Sequence, residues 1–75
     1  LKGYLIWIKS GACIEGEAPE ETLNKFRLEW TKYAAGMEQK RFLTLIDTDG
    51  DLLIDAENIS GVAINDVCRE KIAGL

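Results

Sequence analysis

Asp47-Thr48-Asp49-Gly50-Asp51-Leu52-Leu53-Ile54-Asp55-Ala56-Glu57-Asn58 is the stretch on which the architecture of this chain turns. Acidic side chains at alternate positions lead into a short apolar run. Such a pattern suits either an oxygen-lined loop joining two helices or an acidic turn joining two strands. Asp-Gly between apolar runs is the strongest short hairpin signal. On that reading residues 42–46 and 52–54 pair as strands, and the three aspartates form a solvated, mutually repelling tip. We expect the hairpin.

Upstream, Tyr4, Leu5, Ile6, Trp7 and Ile8 are aromatic, β-branched or long aliphatic, as in a buried strand. Lys9-Ser10-Gly11 supplies a turn, with glycine free to take a positive φ. Residues 12–17 return as a second strand, in which Gly16 marks a bulge or a close backbone approach. Pro19 suits the first position of a helix, and Glu20 and Glu21 complement the positive end of its dipole. Leu23, Phe26, Trp30, Tyr33 and Ala34 recur at spacings of three and four, which puts them on one face. Glu21 and Lys25 form an i,i+4 pair. Gly36 closes the helix near Ala35.

Downstream, residues 58–64 are β-branched and interrupted by Gly61, a pattern of strand or bulge more than helix. Asn65-Asp66 then caps a short last helix carrying Val67, Cys68 and Ile72. The two halves share a plan of apolar run, glycine-containing turn and acidic return run. The expected architecture is one small α+β domain over residues 1–75. Its order is β-hairpin, amphipathic helix, β-hairpin and short C-terminal helix, with the long helix packed on a small antiparallel sheet.

The bulk properties narrow the function. Apolar residues make up 47% of the 75, which is globular composition. A chain of this length builds one modest core and gains from a partner or from self-association. Thirteen acidic and nine basic side chains leave a net charge of −4, which argues against a broad phosphate-binding surface and so against nucleic acid. The most apolar run near the start is far too short to span a bilayer, and we expect a cytoplasmic protein without membrane contact. Two cysteines and no histidine fall short of a zinc site. We expect Cys13 and Cys68 to be reduced and buried as small apolar groups.

From Asp47 onward the stretch resembles the calcium loop of EF-hand proteins. Asp47, Asp49 and Asp51 match that family's loop positions one, three and five, Ile54 matches the apolar position eight, and Asp55 falls at nine. The resemblance implies a calcium ligand set of Asp47, Asp49, Asp51 and Asp55. The chain departs from the pattern at position six, where Leu52 replaces a glycine, and at position twelve, where Asn58 replaces a bidentate glutamate. Ile8-Lys9-Ser10-Gly11 with Gly16, and Ile54-Asp55-Ala56-Glu57-Asn58-Ile59, also look like the two short signatures of Sm-like RNA-binding barrels. Here a helix replaces that family's central strands, and Asp55-Ala56 replaces its basic residue and glycine. More loosely, the lysine-glycine hairpin at Lys9-Ser10-Gly11, the helix opened by Pro19-Glu20-Glu21 and the closing strand ending in Glu57-Asn58-Ile59 make the whole plan similar to short proteins of unknown function common in phages and prophages of Gram-positive bacteria.

Catalysis needs a base, a nucleophile or a metal in a pocket, and no such set is evident in the sequence, so we expect a non-enzymatic chain without a cofactor. Trp7, Trp30, Tyr4, Tyr33, Phe26 and Phe42 are many aromatics for one small core. We therefore expect a binding or assembly module acting through protein contacts or self-association, of the phage accessory or inhibitor type. Trp7, Trp30, Tyr33, Asp47, Asp49 and Asp51 are its candidate interaction residues. A divergent calcium-binding protein is the first alternative and an Sm-like nucleic-acid binder the second.

Overall fold

The computed structural model describes residues 1–66. Two strands, β1 (Lys2–Ile8) and β2 (Cys13–Ala18), form the first hairpin, with Tyr4 facing Gly16 and Ile6 facing Ile14. Its turn places the positive φ at Gly11, whose N–H donates to Ile8 O at 2.8 Å. Helix α1 (Glu20–Ala34) follows. Pro19 sits just before the helix, at φ −58° and ψ 143°, because the residue ahead of the first turn is extended. Its carbonyl still accepts from Leu23 N–H at 3.1 Å. The far end closes as expected at Gly36, with φ 77°. Gly36 N–H donates to Tyr33 O and Met37 N–H reaches back to Lys32 O, the paired bonds of a Schellman motif.

The acidic stretch folds as strand, turn and strand. Strands β3 (Phe42–Asp47) and β4 (Gly50–Asp55) pair antiparallel, with Asp47 facing Gly50 across the turn residues Thr48 and Asp49. Glycine's freedom is used just after the turn, at Gly50 with φ 139°, while Thr48 and Asp49 keep negative φ. Asp47 Oδ1 accepts from the N–H groups of Asp49 (2.8 Å) and Gly50 (3.0 Å), so the first aspartate of the stretch organises the turn.

A 3-10 turn, Ala56–Asn58, then leads into β5 (Ile59–Asn65), which pairs antiparallel with β1. The five strands of the described residues thus divide into a three-stranded sheet of order β2-β1-β5 and the separate two-stranded β3–β4 hairpin. The segment expected to be strand or bulge is both. Trp7 faces Gly61 and Ile8 faces Ile59, so Ser60 is the extra residue, and its hydroxyl donates to Trp7 O at 3.2 Å. The short helix expected beyond Asp66 lies outside the described residues.

The core lies between these layers. Tyr4, Ile6 and Ala18 come from the first sheet, Leu23 and Phe26 from α1, Leu43, Leu45 and Ile54 from the hairpin, and Ala56 and Ile59 from the connection. Trp30 and Tyr33 flank it, whereas Ala34, expected on the same helical face, is exposed. Cys13 is exposed rather than buried, because strand alternation turns Ile14 inward and Cys13 outward. Cys68 is outside the described residues. No helix among the described residues is long and apolar enough to cross a membrane.

Candidate interaction surface

Strand β3 is apolar on both faces. Leu43 and Leu45 point into the core with no exposed surface, so Phe42, Thr44 and Ile46 must point outward. Their partners on β4 are Asp55, Leu53 and Asp51 in turn. The outer face of the hairpin therefore carries Phe42 at 52%, Ile46 at 57% and Leu53 at 73% exposure, bordered by two aspartates. Isolated exposed apolar residues are ordinary. Three on one face of one hairpin form a patch.

Both ends of the hairpin are held. At the open end, Arg41 makes a two-pronged ion pair with Asp55, with bonds of 2.7 and 2.8 Å, and its guanidinium lies 5.5 Å from the centre of the Phe42 ring. The bond to Arg41, first, and then the Glu57 N–H hold the Asp55 carboxyl below the usual carboxylate range, and the same pair raises the Arg41 pKa. Asp55 also caps the 3-10 turn through Glu57 N–H at 3.0 Å and accepts from Asn58 Nδ2 at 3.3 Å. At the tip, the Tyr4 hydroxyl donates to Asp47 Oδ2. Burial, aided by this bond, pushes the Tyr4 pKa up, and the same bond is the main cause of a lowered Asp47 pKa.

The residues expected to interact are scattered. Trp7, 41% exposed, sits on the outer face of the three-stranded sheet, and a Cβ added to Gly61 would lie 3.2 Å from its ring. Trp30 and Tyr33 are half-buried on the other side of that sheet, where Tyr33 donates to Glu57 at 2.5 Å. This bond is the first cause of a raised Tyr33 pKa. The three tryptophan and tyrosine side chains do not form one surface. Asp47, Asp49 and Asp51 do come together, with Glu15, around a hollow of about 220 Å³. Asp55 does not join them, because it lies at the opposite end of β4 and is committed to Arg41. Among the described residues no group of three or more Cys, Asp or Glu side chains is placed to hold a metal ion.

The outer face of the hairpin is therefore the feature that reading along the chain missed. Its signal was available in the alternation itself. A strand reading Phe-Leu-Thr-Leu-Ile is apolar at odd and at even positions, and a two-layer fold buries only one of those sets. Compared with protein-family models, with characterised proteins and with solved structures, the chain matches none of them.

Proposed function

We propose that the chain is a non-enzymatic binding or assembly module that contacts protein through the outer face of the β3–β4 hairpin. The observation that carries the proposal is the co-facial exposure of Phe42, Ile46 and Leu53 on a hairpin fixed at both ends. Burying such a patch against protein removes apolar area from water at roughly 25 cal/mol per Å². The bordering charges, Asp51 and Asp55, give it the polar rim of an interface. Trp7, Trp30 and Tyr33 are left outside the contact.

The test is a photo-crosslinking residue at position 53 in cells expressing the chain. Discrete crosslinked species are expected there, and none at Asn24 on the solvent side of α1. An absence of discrete species at position 53 would overturn the proposal.

Calcium at the tip is less well supported, since Asp47 already accepts from the Tyr4 hydroxyl and from two backbone N–H groups. Calorimetric titration with calcium is expected to give no saturable heat at sub-millimolar levels. Binding in that range, lost in Asp47→Ala, would restore the calcium reading.

A further inference from the structure

We infer that the hairpin's protein partner is a second copy of this chain, added antiparallel along the open edge of β3 about a two-fold axis through Thr44. The inference rests on the proposal that this hairpin is an interface and adds a partner and a register at its edge: the second copy lies beside Phe42 and Ile46 in the plane of the sheet, with Leu53 on β4 one strand further from it.

The open edge follows from the ladder. Ala56 N–H donates to Arg41 O, so residues 41 and 56 form a hydrogen-bonded pair. Bonded and non-bonded pairs alternate in an antiparallel ladder, which makes 43/54, 45/52 and 47/50 the bonded ones. The N–H and C=O groups of Phe42, Thr44 and Ile46 therefore point away from β4. Among the described residues no other strand pairs with β3. Its edge is closed, among the described residues, at the tip, where Thr48 N–H donates to Glu17 O at 3.0 Å. Beside the open part runs a groove of about 550 Å³ between Thr44 and Ile46 on one wall and Thr22, Phe26 and Glu29 of α1 on the other.

The residues along this edge are complementary to themselves in reverse. With Thr44 opposite Thr44 of the second copy, Phe42 faces Ile46 in both directions, and each outward pair exchanges its N–H···O bonds. On the outer face this sets an aromatic side chain beside a β-branched one, a favourable cross-strand pair. On the inner face Leu43 meets Leu45. Charge agrees with the same register: Arg41, just before one β3, comes opposite Asp47 at the end of the other, and Lys40 comes opposite Thr48, next to Asp49. Sliding by one pair of residues sets Leu43 opposite Asp47 or Lys40 opposite Ile46 and loses the match. The edge of β4 differs, since Asp51 and Asp55 flank Leu53 along it and charge discourages pairing there.

Sedimentation and amide hydrogen exchange on the 75-residue chain test the inference. The weight-average mass should rise from one copy toward two between about 10 μM and about 1 mM, the range of small, weak interfaces. Over the same range the amides of Phe42, Thr44 and Ile46 should gain protection. Thr44→Pro removes the central N–H on the side away from β4, and Thr44→Lys opposes two ammonium groups on the axis at an exposed position. Each should weaken pairing by about tenfold or more, with circular dichroism confirming the fold; Thr44→Lys decides if Thr44→Pro does not fold. A dimer without protection of these amides, or one indifferent to both folded variants, overturns the edge register while leaving the hairpin an interface. A monomer at 1 mM (about the upper limit for a weak contact) overturns self-pairing, and the position-53 crosslink then separately decides whether another protein binds the hairpin.

Discussion

Tyr4, Gly16 and Asp47 show how much of this fold hangs on single atoms. Tyr4 faces Gly16 across β1 and β2, and its hydroxyl reaches past the glycine to Asp47 at the hairpin tip. A Cβ on Gly16 would stand 2.9 Å from that hydroxyl and 3.0 Å from Asp47 Oδ2. Gly16→Ala should therefore displace the ring, with a cost of about 1–3 kcal/mol by denaturant titration. The same bond sets a pH signature at each end of the scale. Asp47 has a lowered folded pKa, so its stabilisation is complete above the unfolded carboxylate value near about 3.9 and is lost as pH falls through the folded value. Tyr4 has a raised folded pKa, so its stabilisation is complete below the unfolded phenol value near about 10 and is lost as pH rises from there. In Tyr4→Phe the melting temperature should be lower at neutral pH, with a shallower fall on both the acid and the alkaline side than in wild type. That Gly16 marks a close approach was legible from a glycine inside a strand pattern. Which side chain approaches it was not, because Asp47 lies 31 positions away in sequence.

The elements divide by how local their causes are. Helix α1 was legible nearly to its ends, since its apolar spacing, acidic first turn and closing glycine all act within a turn or two of the chain. Gly36 holds a left-handed conformation that a Cβ disfavours, so Gly36→Ala should cost about 1 kcal/mol in urea unfolding. The β3–β4 hairpin was legible too, because turn chemistry and alternation are local. Its outer face was not, since alternation marks two faces without saying which one the rest of the molecule covers. Leu53→Lys tests that assignment: at 73% exposure it should leave the melting temperature within a few degrees, whereas Ile54→Ala next to it should cost about 2–5 kcal/mol.

At the scale of the molecule, α1 is the layer that joins the two sheets. Phe26 and Leu23 are 2% exposed between the three-stranded sheet on one side and Leu43 and Leu45 on the other. The sheets meet elsewhere through Thr48 N–H on Glu17 O and Tyr4 on Asp47. Phe26→Ala should cost about 3–5 kcal/mol, against a total stability of roughly 4–11 kcal/mol for a chain of this size. Equilibrium unfolding should then show a midpoint lowered for both sheets at once, since both lean on the same side chain. The sequence by itself determined what arises within a few residues: two hairpins, one amphipathic helix, the turn at the acidic stretch and a globular, acidic surface. Only the tertiary structure decided that β5 returns to β1 while β3 and β4 stand apart, that Cys13 faces solvent and Asp55 serves Arg41, and that Phe42, Ile46 and Leu53 stay uncovered. Those outcomes depend on which distant segment reaches a face or an edge first, and no local propensity carries that information.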